Sequence, residues 1–144
     1  MPELPEVETV RRGLEQRFVG RRITRVEVGR ERSVRRTSRE EVIARLTGVQ
    51  ALQAQRRGKY LLCPLSSGDS VMIHLRMSGQ VLIDAVGSIR PPHSHVVMTL
   101  DDGNELRFVD PRTFGEVVVF DPADAAEVVP ELVNLGQDPI VDGL

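Results

Sequence analysis

Two amines in this chain have the character of nucleophiles or proton carriers, and each has a reason to be singled out. The sequence opens Met1-Pro2-Glu3-Leu4-Pro5-Glu6. Removal of the initiator methionine, usual when a small residue follows, leaves Pro2 as a free secondary amine. An α-amino group titrates near pH 8, so part of it is a neutral nucleophile at physiological pH. Its attack on an aldehyde carbon gives an iminium ion, an electron sink that eases elimination at neighbouring carbons. Glu3 and Glu6 stand beside it as carboxylates able to move protons. The competing explanation is that Pro2, Glu3, Pro5 and Glu6 merely open a helix, since proline and acidic residues suit a first turn. The second amine is Lys59, the one lysine among 19 basic residues. Arginine stays protonated, whereas a lysine amine can lose its proton or form an imine; chance under a compositional bias is the bland alternative.

The elements that must position these groups are legible from periodicity. Val7, Val10, Leu14 and Phe18 recur at spacings of three and four, predicting an amphipathic helix over 5–18 with Pro5 at its start and Gly20 beyond its end. Residues 22–28 alternate as a strand. Ser38 and Glu41 form a capping box ahead of a short helix through Val42, Ile43 and Leu46. Strands are expected at 49–56, 59–65, 70–76, 80–84, 95–100, 105–109 and 115–120, with turns at Ser66–Asp69 and Asp101–Asn104. Seven or eight short strands with two helices predict a mainly β chain, a β-sandwich or flattened barrel with flanking helices. Residues 1–120 read as that domain, and 121–144 as a short helix and the start of an interdomain linker.

Composition bounds the function. At 144 residues, 40% hydrophobic and 28% charged, the chain can bury a core. It shows neither a spanning apolar run nor a signal peptide, and a cytoplasmic location is expected. Cys63, the single cysteine, lies in the apolar run YLLCPL and reads as a buried small hydrophobe; it allows no internal disulfide and no multi-thiolate zinc site. Charge is divided along the chain: residues 1–62 hold 15 Lys+Arg against 8 Asp+Glu, and residues 63–144 hold 4 against 13. A basic half points to a polyanion such as a phosphate backbone, unless its arginines simply solvate helix and strand faces.

Four blocks, MPELPEVETVRRGL at the start, RRGKYLL around Lys59, MIHLRMSGQ at 72–80 and FVDPRTFG at 108–115, together resemble the formamidopyrimidine-DNA glycosylase family. The resemblance extends to ELVNLGQDPI and so covers the whole sequence, but only the N-terminal part of the family pattern. It implies a β-sandwich domain with helices at its side. It also implies a base-excision repair enzyme that excises oxidised purines such as 8-oxoguanine and formamidopyrimidines, then cuts the strand at the abasic site. Carried over by position, Pro2 attacks C1′, Glu3 donates a proton to sugar or base, and Glu6 supports the N-terminal proline. Lys59 contacts a phosphate near the lesion and donates a proton during elimination.

An extruded nucleotide leaves a hole in the stack that must be filled. Met77, Arg112 and Phe114 match the family's void-filling set, with Arg112 on the orphaned cytosine. His93 matches a phosphate contact; His74 is either a backbone contact or a packing residue, and His95 reads as structural. The partner implied is damaged double-stranded DNA, bound by a monomer. The family's helix-two-turn-helix segment and four-cysteine zinc finger have no counterpart here. The sequence therefore reads as the N-terminal catalytic domain with no cofactor of its own, and weak turnover is expected because much of the phosphate grip is missing. Two alternatives stay open: the related endonuclease VIII branch, specific for oxidised pyrimidines, and a non-catalytic β-sandwich module that binds DNA or protein.

Overall fold

The computed structural model describes residues 3–134. Helix α1 (Leu4–Arg17) comes first, with Pro5 in its first turn, and strand β1 (Ile23–Val28) follows. A 3-10 turn (Glu31–Val34), for which the sequence offered no periodicity, leads into α2 (Arg39–Leu46). There Ser38 Oγ accepts from the Glu41 amide at 3.1 Å, which is half of the expected capping box. Then come β2 (Gln55–Arg57), β3 (Tyr60–Pro64), β4 (Ser70–His74), β5 (Gln80–Ala85), β6 (Ser94–Leu100), β7 (Asn104–Val109) and β8 (Glu116–Phe120). Two short helices, α3 (Ala125–Val128) and α4 (Pro130–Asn134), complete the described chain.

The strands form two antiparallel four-stranded sheets, ordered β1-β6-β7-β5 and β2-β3-β4-β8. This is the sandwich that alternation predicts. Its interior is filled by Ile23, Val26, Leu61, Val71, Ile73, Met98, Leu106, Phe108 and Val117, with Leu14 and Phe18 of α1 and Val42 and Leu46 of α2 closing the sides. The outer face of the second sheet is covered in turn: Met72, Val118 and Phe120 pack under Val129 and Leu132. The expected short helix after residue 121 is thus a pair of helices docked on the sheet, and the remainder of the expected linker lies outside the described residues. No helix among the described residues is long and apolar enough to cross a membrane.

One predicted strand is wrong. Residues 49–54 form no ladder, and only Gln55–Arg57 pairs as a strand. The chain here crosses the sandwich edge and divides its hydrogen bonds: Gly20 N–H donates to Ala51 O at 2.8 Å, Leu52 N–H donates to Pro64 O at 2.8 Å, and Ala51 bridges both Val19 and Leu65. Apolar residues at a crossing look the same in sequence as apolar residues in a strand.

The charge asymmetry also has an internal use. Arg21 pairs with Asp102, Arg35 and Arg36 with Glu116, Arg36 with Glu131, and Arg45 with Asp69, so the basic half folds onto the acidic one. Arg25, Arg30, Lys59 and Arg112 make no ion pair among the described residues.

Within the basic half, Glu8 is the most heavily used carboxylate. Hydrogen bonding from Arg11, helped by Arg56 and Arg12, outweighs burial and holds its pKa at about 2 against an ordinary 4.5. A depressed folded-state pKa means stability that is fully present above the unfolded value and lost as pH falls from about 4.5 through about 2, worth roughly 3 kcal/mol. Glu8→Gln should therefore flatten the urea midpoint between pH 5 and pH 2; a variant losing stability as steeply as the unaltered chain would refute this.

Candidate functional site

The start of α1 is set by Glu3, whose backbone is extended (φ −81°, ψ 163°) and whose carbonyl accepts from the Glu6 and Val7 amides at 3.0 Å. Burial of Val7, Leu14 and Phe18 fixes the roll of the helix and leaves the carboxylates of Glu3 and Glu6 exposed at its positive end. Pro2, the candidate nucleophile, lies outside the described residues. Glu6 lines a cleft of about 250 Å3 with Val10, Leu75, Gly79, Gln80 and Val81, open between α1 and β5.

Lys59 occupies the tight turn between β2 and β3, half-buried, with no hydrogen bond or ion pair to a described residue. Fully buried Arg56 anchors that turn to α1, donating from Nη1 to Gly58 O at 3.0 Å and from Nε to Glu8 Oε1 at 3.2 Å. Glu8 in turn receives Arg11, which also donates to Ala54 O. One buried ion-pair chain thus runs from the helix bearing Glu3 and Glu6 to the hairpin bearing Lys59. Periodicity had no means of finding it, because a strand arginine that is fully buried looks in sequence like any other arginine.

Four of the remaining candidates come from three loops at one end of the sandwich. Met77 lies in the loop 75–79, 51% exposed, and Phe114 in the loop 110–115, 41% exposed. Arg112 is exposed between them in sequence, and His93, also exposed, closes the loop before β6. Three residues in these loops have a left-handed backbone although none is glycine: Arg76 (φ 52°), His93 (φ 68°) and Thr113 (φ 56°). Such conformations cost about 1–3 kcal/mol each and persist where surrounding contacts over-determine them. The turn at Arg76 is also why β4 ends at His74 rather than at residue 76, as its apolar pattern suggested.

What over-determines them is a set of residues that the sequence reading did not single out. Asp110, fully buried, accepts from Ser78 Oγ at 2.6 Å and from the Gly115 amide at 2.7 Å, and Ser78 Oγ accepts from the Arg112 amide at 3.2 Å. Arg32 donates to Thr113 O, and Arg35 to Phe114 O and Gly115 O. Glu116, 1% exposed, receives Arg35, Arg36 and Arg76. Gly79 and Gly115 allow the loops to close: a Cβ on Gly79 would stand 2.6 Å from Leu75 O, and one on Gly115 would stand 2.6 Å from His74 O. The one available signal was compositional, a Ser and an Asp beside glycines in two turns that also carry large apolar residues.

His74 lies in register with Tyr60 and Glu116 on the outer face of the second sheet and stacks on the Tyr60 ring at 4.1 Å. Burial, assisted by Arg76, pushes its pKa down to about 4, so it is neutral at pH 7 and packs as an aromatic. Its Nδ1 is buried with no hydrogen-bond partner among the described residues. His95 is buried and donates from Nε2 to Asp110 O at 2.8 Å, a structural role as expected. Among the described residues no group of His, Cys, Asp or Glu is arranged to hold a metal ion. Cys63 is buried and burial pushes its thiol up to about 12, far from a ligand thiolate.

Comparison with known proteins gives concordant results. The family model for the formamidopyrimidine-DNA glycosylase N-terminal domain matches residues 1–117. A formamidopyrimidine-DNA glycosylase of Salinispora arenicola is 47% identical over 97% of this chain and 49% of its own length, and one of Herpetosiphon aurantiacus is 43% identical over 99% and 51%. The Lactococcus lactis enzyme non-covalently bound to DNA containing an AP site superposes with a TM-score of 0.85 at 34% identity, over 96% of this chain and 52% of that one. Its complex with abasic-site DNA gives 0.82 at 35% identity, over 92% and 48%. The chain spans about half the length of the curated relatives it matches.

Proposed function

The chain belongs to the formamidopyrimidine-DNA glycosylase family, and from that premise we propose that it carries the nucleophile and the void-filling loops of a bifunctional glycosylase/AP lyase that repairs damaged double-stranded DNA. The lesions proposed are oxidised purines, 8-oxoguanine and formamidopyrimidines. The observation that supports this most directly is the placement of Met77 and Phe114, both substantially exposed, on two loops joined through Ser78 and Asp110. Apolar side chains held outward at such cost are suited to enter a base stack.

In the proposed reaction the Pro2 nitrogen forms a bond to C1′ as the C1′–N bond to the base breaks; the base leaves with the electron pair and takes up a proton, matching the one that the amine nitrogen gives up before the iminium forms. Glu3 delivers a proton to the ring oxygen, which opens the sugar and leaves the iminium at C1′. Loss of a proton from C2′ then expels the 3′ phosphate, Lys59 being the group proposed to hold that phosphate and donate to it. Glu6, exposed at the cleft, supports the amine and its water. Arg112 addresses the orphaned cytosine, and His93 a phosphate.

Borohydride trapping on an abasic-site oligonucleotide, at high protein concentration and low salt, tests this reading when followed by mass spectrometry of the adducted peptide. An adduct at Pro2 is expected. No adduct from protein whose Met1 is confirmed removed, or an adduct at Lys59 instead, would overturn the nucleophile assignment.

A further inference from the structure

Asp110 uses every polar atom it has, each for a different segment. Its amide donates to His93 O at 3.0 Å, and its carbonyl accepts from His95 Nε2 at 2.8 Å and from the Thr113 amide at 3.3 Å. Oδ1 accepts from Ser78 Oγ at 2.6 Å and Oδ2 from the Gly115 amide at 2.7 Å. The loops carrying Met77, His93, and Arg112 with Phe114 therefore meet at one residue that is itself 0% exposed. Ser78 is the only side chain through which the Met77 loop joins this hub by a hydrogen bond among the described residues, and it does so twice, donating to Asp110 and accepting from the Arg112 amide.

We infer that the Ser78–Asp110 pair is a latch that makes the void-filling loops a single rigid wedge, a positioning role for residues that touch no DNA themselves. The inference rests on the reading of Met77, Arg112 and Phe114 given above. Its physical basis is preorganisation. Three side chains entering one gap in a base stack must arrive in fixed relative positions, and loops free to move separately would lose ordering entropy on insertion. A charge-assisted hydrogen bond to a carboxylate that is itself fully buried supplies that rigidity. The strained backbones at Arg76, His93 and Thr113 lie on the same three loops, as expected if the hub holds them.

The test separates insertion from binding and from chemistry. A duplex carries a tetrahydrofuran abasic analogue opposite cytosine, with 2-aminopurine stacked next to that cytosine. It is titrated to saturation with the unaltered chain, with Ser78→Ala and with Ser78→Thr, and anisotropy reports binding in parallel. The unaltered chain is expected to raise 2-aminopurine fluorescence about threefold or more as the wedge opens the stack, Ser78→Ala to give less than about half that rise at its own saturation, and Ser78→Thr, which keeps the hydroxyl, to recover it. A purely structural defect would move the melting temperature or the affinity of Ser78→Ala without lowering the plateau. A full rise with Ser78→Ala overturns the latch alone. No rise with the unaltered chain overturns the wedge reading and the latch with it, whatever borohydride trapping shows at Pro2.

Discussion

Glu3→Gln is expected to lower single-turnover excision of 8-oxoguanine from a duplex by about 10²–10⁴-fold, the range over which a positioned proton donor contributes. Glutamine keeps the size and the hydrogen-bonding reach of the side chain but has no proton to deliver to the sugar ring. Because Glu3 is an exposed N-cap residue whose carbonyl, not its side chain, organises the first turn of α1, the fold should be unaffected. An abasic sugar already interconverts with its ring-opened aldehyde, so trapping of Pro2 on a preformed abasic site should fall far less, by about tenfold or under. The contrast between the two substrates is the informative quantity. Equal losses on both would place Glu3 in the architecture of the site and not in proton transfer. A Glu3→Gln chain that excised normally would remove it from the mechanism altogether.

The second large effect is on stability. Glu116 is 1% exposed and accepts from Arg35 at 3.3 Å and from Arg36 at 2.7 Å, with Arg76 at 3.7 Å. Glu116 is the one fully buried member of this cluster, and its removal leaves Arg35, Arg36 and Arg76, which are 35%, 21% and 42% exposed, without their shared carboxylate, at a cost of about 3 kcal/mol. For a chain of this length that corresponds to a fall in Tm of about 10 °C for Glu116→Gln. Glu131, the other partner of Arg36, has a side chain 28% exposed, and its loss should cost no more than about 1 kcal/mol. The cluster does more than stabilise: Arg35 also holds the carbonyls of Phe114 and Gly115, so the same variant should loosen the loop that presents Phe114. Circular dichroism melts of the two variants side by side decide the matter, and a Glu116→Gln midpoint within about 2 °C of the unaltered chain would show that the cluster is not load-sharing.

Much of the fold was written locally. The spacing of Val7, Leu14 and Phe18 placed α1 to within a residue, and Ser38 placed the start of α2. Alternation located the strands that pair with their neighbours through turns, β3 with β4 and β6 with β7. These succeed because a helix or a hairpin is stabilised by contacts a few residues apart, so its pattern is contained in a short window. The candidate residues were legible for a different reason: a lone lysine and a proline behind the initiator stand out by chemistry, and the four sequence blocks gave them order.

Other features depended on partners far away in the chain. Residues 49–54 have a strand's composition, yet they share their hydrogen bonds among Gly20, Pro64 and Leu65 and form no ladder. The arginines of the first half suggested a surface for a polyanion, and Arg21, Arg35, Arg36 and Arg45 instead meet carboxylates 24 to 95 residues later. Asp110 and Ser78, 32 residues apart, read singly as ordinary turn residues. Burial converts them into a hub, because a carboxylate taken out of water must find donors wherever the fold brings them. Sequence thus determined most of the elements and singled out candidate groups by their chemistry. Only the tertiary structure decided which charges are spent internally and which loops are joined, since both are set by long-range proximity, which residue type and local period do not encode.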